Sequence, residues 1–180
     1  MGEAIKVSME ELFDKRAPQQ MVSEANAFKT VPKGLYRLRA KKYDATSQGG
    51  RLTVFFQTDI LSPDGKRLAG GSFKVSPDER RMANGGLDTQ AKLYGQLVKA
   101  LYASSTAAEQ AQVSTAELIQ TFMQTPVDAF VALQFKTEAK NPLTGWPDWV
   151  DTHNKAEEIE ARKAGHVASN IVRSIQKAQA

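Results

Sequence analysis

The amino-acid sequence predicts a mixed α+β fold that is rich in strands. Hydrophobic and polar residues alternate with a period of two between residues 31 and 75, and again between residues 127 and 150. Between these blocks, and at both ends of the chain, apolar residues recur at helical spacing. A chain of 180 residues has the length of one domain with its own core. We therefore expect a five-stranded core, a helical insertion and a flanking helix at each end.

Residues 1–30 are expected to form an N-terminal helix and an arm. Ser8 and Glu11 have the spacing of a capping box, in which each side chain bonds to the backbone amide of the other residue. This pattern predicts a short helix that stops before Pro18. The polar segment 19–30 has no clean period, which indicates an extended arm or loop.

Three strands are predicted in the first alternating block, with glycine-containing turns between them. The first begins at residue 31, the second covers residues 51–61 and the third covers residues 66–75. Gly70 and Gly71 interrupt the third strand, and paired glycines inside a strand are typical of a β-bulge or a sharp bend.

The segment after the third strand is predicted to be helical. A helix cap at residue 88 or 89 precedes the apolar stripe of a first helix. Ser114 and Glu117 have the spacing of a capping box, which begins a second helix with its own apolar stripe. Residues 104–113, between these helices, indicate a surface loop or a weak helix.

The last part of the chain is expected to hold two strands and a helix. The fourth strand covers residues 127–136, and residues 146–150 form a short fifth strand. Asn154 caps an amphipathic helix, whose apolar stripe contains Ala164, Val167, Ala168, Ile171, Val172 and Ile175.

This order of elements is that of the OB-fold, a five-stranded Greek-key barrel. We predict an OB-like barrel with a helical insertion between strands 3 and 4 and flanking terminal helices. The expected organisation is an N-terminal helix and arm at 1–30, an OB-like nucleic-acid-binding domain at 31–151, and a C-terminal amphipathic helix at 152–180.

Composition and motifs narrow the functional classes. The chain contains no cysteine, so it has no disulfide, thiolate nucleophile or common structural zinc site. It also lacks a run of 18 apolar residues, a P-loop, a G-x-S-x-G and an H-E-x-x-H, and we do not expect its first residues to act as a signal peptide. We expect a cytoplasmic protein (in the bacterial host if it is phage-encoded) that is not an enzyme, needs no metal or cofactor and does not bind membranes.

One group of potential metal ligands, Asp148, Asp151 and His153, lies close together in sequence. A turn at Trp146-Pro147 precedes the group and the helix cap Asn154 follows it. We therefore interpret the group as a helix-capping cluster rather than a metal site.

Positive charge is concentrated in one part of the chain, although the net charge is only +4. Six basic residues stand against one acid, Asp44, in the segment that covers the first strand and the turn after it. The six are Lys33, Arg37, Arg39, Lys41, Lys42 and Arg51. A local basic cluster of this kind favours an anionic partner.

The first two strands combine cations and aromatic rings on the face that the core does not use. Arg37, Arg39 and Lys41 alternate with inward residues, and Phe55 points outward from the middle of the second strand. Single-stranded nucleic acid requires cations along its phosphates and aromatic rings on which its bases stack. The predicted binding residues are Arg37, Arg39, Lys41, Tyr43, Arg51, Phe55, Lys66, Arg67 and Lys74.

Each of these features also has a purely structural explanation. Alternating cations can form a solvated face or protect the edge of a sheet, and the terminal helix can cover Phe55. Trp146 and Trp149 can stack on bases, although buried tryptophans that close the end of a barrel are as common.

Several segments resemble small bacteriophage-encoded OB-fold proteins that bind single-stranded DNA in replication and recombination. The resemblance covers residues 30 to 140. It is carried by Val31-Pro32-Lys33-Gly34-Leu35-Tyr36, Gly49-Gly50-Arg51-Leu52-Thr53-Val54-Phe55-Phe56, Asp64-Gly65-Lys66 and Gln90-Ala91-Lys92-Leu93-Tyr94-Gly95-Gln96-Leu97. It implies a barrel that binds single strands on the face of Arg37, Arg39, Lys41 and Phe55. The basic, amphipathic C-terminal end differs from the acidic tail of many such proteins and suggests self-association or packing on the barrel.

The expected function is therefore binding of single-stranded DNA, or RNA, with little sequence preference, to protect it during replication or recombination. Self-association is expected to accompany binding. The alternative is a structural or assembly protein, such as a viral accessory or virion component, that oligomerises through its terminal helices. That alternative explains the apolar stripes of the helices but leaves the basic strand unexplained.

Overall fold

The computed structural model describes residues 5–24, 30–152 and 154–179. The helices in these ranges are α1 (Met9–Asp14), α2 (Gln19–Glu24), α3 (Thr89–Leu101), α4 (Ala107–Ala111), α5 (Thr115–Gln124) and α6 (Lys155–Lys163). The strands are β1 (Gly34–Gln48), β2 (Arg51–Leu61), β3 (Arg67–Val75), β4 (Val127–Lys140), β5 (Pro147–Asp151) and β6 (Val167–Gln176). No helix in these ranges is long and apolar enough to cross a lipid bilayer.

The strands form one six-stranded sheet in which five strands close into a ring. The order is β1-β2-β3-β6-β4-β5, and β1 also pairs with β4. The pairing of β3 with β6 is parallel, whereas every other pairing in the described residues is antiparallel. β5 lies outside the ring as the second strand of a hairpin with β4. The fold is therefore mixed α+β and strand-rich.

Aromatic residues fill the centre of the core. The ring of Phe56 on β2 lies 4.9 Å from Phe122 of α5, nearly perpendicular to it, and 5.5 Å from Phe73 of β3. α3 packs against β3 and β6, and α5 packs against β1. The helical insertion is thus fixed to the strands, and β2 and β3 present their other faces outward.

A bulge in β1 changes which residues face outward. Ala40 pairs with Thr58 and Lys42 pairs with Gln57, which leaves Lys41 without a partner across the strands. An extra residue reverses the alternation of the side chains that follow it. The predicted continuation of the Arg37–Arg39 row through Tyr43 is therefore wrong: Tyr43 pairs with Phe56 and lies on the opposite face.

The predicted C-terminal helix at 152–180 is correct only for its first part. Lys155–Lys163 is helical, and Gly165 then adopts a φ of 80°, a conformation that ends a helix. Residues Val167–Gln176 form β6, which is rich in β-branched residues and completes the ring. A register shift in its pairing with β4, between Val172 and Ser174, interrupts the alternation, so that Val172 and Ile175 are both buried. This three-residue spacing resembles the spacing of an apolar stripe on a helix, which is why the sequence predicted a helix here.

Three smaller expectations also need correction. The predicted fifth strand exists as β5 but lies outside the ring, which β6 closes instead. Gly70 and Gly71 pair in regular register, and the irregularity lies earlier, opposite the end of β2. The predicted arm begins with helix α2, in which the amide of Val22 donates to the carbonyl of Pro18. Residues 104–113 contain the short helix α4, which agrees with the weak helix that the sequence left open.

Candidate nucleic-acid interface

The outer face of β2 and β3 presents one aromatic ring among polar side chains. Phe55 pairs with Lys74 across the two strands, and Gln57 pairs with Ser72. Residues that are directly opposite in antiparallel strands point to the same side of a sheet. Phe55 is half-buried and lies outside the core cluster. The helical part of the predicted C-terminal helix, α6, packs elsewhere, through Ala161 on Leu133 and Phe135.

Phe55 lies between two adjoining hollows on this face. The first, which we call the aromatic hollow, has a volume of about 480 Å³ and is lined by Phe55, Trp149, Lys74, Leu93 and Ile171, among others. The second, the basic hollow, has a volume of about 610 Å³ and includes Lys41, Asp59 and Arg67. Both share Phe55, Ser72, Ser169 and Asn170. Together the two hollows form one track across β2, β3 and β6.

Trp149 provides the second aromatic surface of the track. It lies on β5 opposite Lys136, whose ammonium group is 5.9 Å from the indole ring centre. In the turn before β5, the amide of Asn141 donates to the carbonyl of Trp146 and the amide of Gly145 donates to the carbonyl of Asn141, so the hairpin has a defined geometry. Trp149 is 53% exposed, and Trp146 is 74% exposed. The interpretation of these tryptophans as buried rings at the end of a barrel is therefore wrong.

Two of the predicted arginines share one carboxylate at the edge of the basic hollow. Asp59 accepts a hydrogen bond from Arg39 at 3.2 Å through one oxygen and from Arg67 at 2.8 Å through the other. Burial raises the pKa of Asp59, but the hydrogen bonds and charges of Arg67 and Arg39 outweigh burial and lower it below its usual value. The carboxylate is ionised at neutral pH, so the trio carries one net positive charge.

The lysines of the face are not neutralised in this way. Lys41, Lys42 and Lys74 make no ion pair with any residue that the structure describes, and all three are exposed. Lys41 lines the basic hollow and Lys74 lines the aromatic hollow. An anion that lies along the track would meet these charges without displacing an acidic partner.

Arg51, a predicted binding residue, is a structural residue in this fold. Its guanidinium group is buried and donates to both oxygens of Asp88, at 2.6 and 2.8 Å, and to the hydroxyl of Ser76 at 3.1 Å. The hydrogen bond from Arg51 lowers the pKa of Asp88 to about 2, against the opposing effect of burial. Arg51 thus connects β2 to the N-terminal cap of α3 and is not available to a ligand.

Three other predicted residues lie away from the track. Arg37 donates to Asp128 at 3.0 Å at the seam between β1 and β4, and it also donates to the carbonyl of Gln179. Lys66 lies in the turn before β3, 3.9 Å from Asp64. Tyr43 lies on the other face of β1. Of the nine predicted residues, the structure brings together Arg39, Lys41, Phe55, Arg67 and Lys74.

Sequence reasoning missed several members of the face, namely Trp149 as an exposed ring, Lys136, Lys42 and Ser72. Lys136 and Trp149 could have been found as alternating residues on the outward side of a hairpin, because both strands were predicted. Lys42 was missed because no pattern indicated the bulge at Lys41. The described residues contain no group of three or more His, Asp or Glu side chains that could hold a metal ion. His153 lies outside the described residues.

Comparisons of the chain with protein-family models, with curated proteins and with solved structures give no significant match.

Proposed function

We propose that the chain binds single-stranded DNA with little sequence preference, and that it acts as a binding protein rather than an enzyme. The observation that carries the proposal is the position of Phe55 and Trp149 along one open track that also bears the unpaired lysines Lys41 and Lys74. Exposed rings on a polar face cost free energy in water unless a ligand covers them. Bases and phosphates are the ligand groups that match rings and cations in this arrangement.

The strand order supports the finer proposal of an OB-like barrel. A ring in the order β1-β2-β3-β6-β4, with a helical insertion before β4, corresponds to the five-stranded Greek-key arrangement if β5 is counted as an addition. OB-folds bind oligonucleotides on the face of their second and third strands and on the neighbouring loops. Phe55 and Lys74 lie on the second and third strands, and Trp149 lies in the connection between the last two ring strands.

The chemistry of the track favours single strands over duplexes. A ring can stack only on a base whose face is free, and in a duplex both faces are covered by neighbouring base pairs. Every base has such a face, so stacking gives little sequence preference. A protein of this kind protects single strands during replication or recombination, as the resemblance to phage proteins implies for this chain. RNA offers the same phosphates and bases and remains a second candidate ligand.

A fluorescence titration tests this proposal, because the chain contains two tryptophans. Trp146→Phe leaves Trp149 as the only indole. Titration of that variant with oligo-dT of about 12 nucleotides, within the range of one or two OB-fold sites, should quench its emission. Phe55→Ala should weaken binding by ~1–3 kcal/mol, the usual contribution of one stacked base. Stability should change by less than about 1 kcal/mol, because Phe55 is outside the core.

The adjacent Phe56 provides the matched control. It is fully buried against Phe73 and Phe122, so Phe56→Leu should lower the free energy of unfolding by about 1–3 kcal/mol while affinity per folded molecule is kept. A duplex of equal length should compete poorly with oligo-dT. Absence of oligo-dT binding would overturn the proposed function. Binding that leaves Trp149 emission and the Phe55→Ala affinity unchanged would instead place the site elsewhere.

The assembly alternative is a second proposal, and the N-terminal segment is the observation that favours it. Ile5, Val7, Met9, Leu12 and Phe13 are all more than half exposed, and α1 buries none of its residues. Contacts with other copies through this segment are compatible with binding on the track. Oligomerisation through a C-terminal helix is no longer supported, because the apolar residues of β6 are part of the sheet.

A further inference from the structure

Asp59 is a buried carboxylate on the outer face of the sheet. It is 7% exposed and lies near the end of β2, where it contacts Arg39 and Arg67 from the two neighbouring strands. Each arginine gives it one hydrogen bond: Arg39 through Nη2 and Arg67 through Nε. Neither guanidinium group makes another side-chain hydrogen bond within the described residues. More than half of each arginine side chain is exposed, so the remaining N–H groups face solvent.

Gly70 provides the space in which the guanidinium group of Arg67 lies. Gly70 pairs with Asp59 across the strands, and a Cβ atom added to it would be 3.1 Å from Nη2 of Arg67. The φ of Gly70 is not in the positive region, so its backbone does not require glycine. The absence of a side chain at this position therefore matters for the placement of Arg67 rather than for the course of the strand.

We propose that Asp59 and Gly70 hold Arg39 and Arg67 side by side as a clamp for one phosphate group of a bound strand. This inference rests on the proposed function and deepens it. Two guanidinium groups with free N–H donors match the oxygens of a phosphate, because planar arginines bind such groups in a bidentate way. A fixed pair also loses less conformational entropy on binding than two independent side chains.

The surroundings of the clamp fit this role. Arg67 and Asp59 line the basic hollow together with Lys41, which adds an unpaired positive charge. Phe55 lines the same hollow, so a strand with one base on Phe55 would bring the phosphate of a neighbouring nucleotide toward the arginines. Asp59 is thus a positioning residue: it touches the arginines, and they touch the phosphate.

The substitution Asp59→Asn distinguishes two effects of Asp59 on binding: its placement of the two arginines and the repulsion of an anion by its negative charge. It removes a negative charge from the binding face, which by long-range electrostatics alone should strengthen the binding of an anion. An asparagine accepts from one arginine and repels the other with its amide group, so the clamp should open. We expect oligo-dT to bind about tenfold more weakly, the loss that follows from one charge-assisted contact. Asp44→Asn is the matched control: it makes the same charge change on exposed β1 and should leave affinity equal or slightly higher.

Gly70→Ala tests the clamp without any change of charge. The added methyl group should shift the guanidinium group of Arg67 by a few tenths of an ångström and weaken oligo-dT binding by about threefold. Gly95→Ala in α3 is its control, because a Cβ there would meet no atom within 4 Å. Urea unfolding of each variant shows whether it is folded, and affinity is compared only per folded molecule.

Sodium tripolyphosphate provides a probe that has phosphates but no bases. We expect it to raise the melting temperature of the wild-type protein, and to do so less in Asp59→Asn and Gly70→Ala. Oligo-dT binding that depends on Phe55 but is unchanged or tighter in both variants would overturn the clamp and keep the proposed function. Tripolyphosphate binding that depends on Asp59, without oligo-dT binding, would keep the clamp and overturn the proposed function. Binding of neither probe would overturn both.

Discussion

At the scale of single residues, each arginine that the sequence assigned to the interface is paired with an aspartate. Arg37 pairs with Asp128, Arg51 with Asp88, and Arg39 and Arg67 share Asp59. Asp128 is 91 positions from Arg37 along the chain, so the local charge pattern of β1 could not reveal it. A count of basic residues in a sequence segment therefore overestimates the charge that the folded face presents. The exposed lysines Lys41, Lys42 and Lys74 make no ion pair with a described residue, so their positive charges are not neutralised.

The Arg51–Asp88 pair should give the fold a pH-dependent contribution. The pKa of Asp88 is lowered to about 2 in the folded state, from the ordinary aspartate value of 3.8. A lowered carboxyl pKa stabilises the fold above its unfolded value, and this stabilisation is lost as pH falls through the folded value. Asp88→Asn should therefore cost about 2 kcal/mol at neutral pH, with the difference from wild type closing between about pH 4 and pH 2.

Urea unfolding at several pH values measures this effect. Asparagine still caps α3 by accepting from the amide of Ala91, so the comparison isolates the charged pair from the cap. A constant difference between Asp88→Asn and wild type down to pH 2 would contradict the assigned cause.

At the scale of elements, the sequence predicted the helices and strands whose signals come from residues close together in the chain. The capping box at Ser114, the N-terminal cap at Ser8 (without the reciprocal bond from Glu11), the alternation in β2 and the stripe of α3 all depend on residues within a few positions of one another. β6 could not be identified in this way. Its burial follows from pairing with β4 and β3, and a register shift in that pairing gave it a helical spacing. Gly165, the glycine that ends helix α6, was a helix-stop signal already present in the sequence.

Deletion of either end of the chain should have very different effects. Removal of residues from 166 onward takes away β6, which leaves one edge of β3 and one edge of β4 unpaired and the ring open. We expect cooperative urea unfolding to be lost. Removal of residues 1–24 should change the melting temperature by less than about 2 °C, because helix α1 buries no residue.

Circular dichroism melts and light scattering distinguish the outcomes. If the N-terminal deletion reduces the oligomer size without loss of stability, the assembly proposal gains support for that segment. A cooperative transition after removal of β6 would mean that the ring is not the unit of stability.

At the scale of the whole molecule, the salt dependence of binding should count the phosphates that the track contacts. The logarithm of the single-strand binding constant should fall with the logarithm of salt concentration by about 0.7 per phosphate. Lys41→Ala combined with Lys74→Ala should reduce that slope by about 1.4, because both lysines are exposed and unpaired on the track.

Arg37→Ala is the control for this measurement. Arg37 is bonded to Asp128 outside both hollows, and its removal should leave the slope unchanged. Equal slopes for wild type and the double lysine variant would show that the phosphates follow another path.

The sequence predicted the kind of candidate site, but only some of the residues that form it. The sequence indicated cations and Phe55 on an outward face, because alternation along one strand is a local property. It could not show that Lys41 forms a bulge, that Tyr43 consequently changes face, or that Trp149 comes from a strand almost a hundred residues further on. Those facts depend on pairing between distant strands, and pairing is what brings the parts of the track together.

The parallel pairing of β3 with β6 also constrains the order of events during synthesis on the ribosome. β1, β2 and β3 can form their hairpins as soon as residues up to Val75 have emerged. The ring cannot close until β6 is available, because β6 is the strand that joins β3 to β4. Until then the outer edge of β3 stays open to other chains, and this is the interval in which a nascent sheet is most exposed to aggregation.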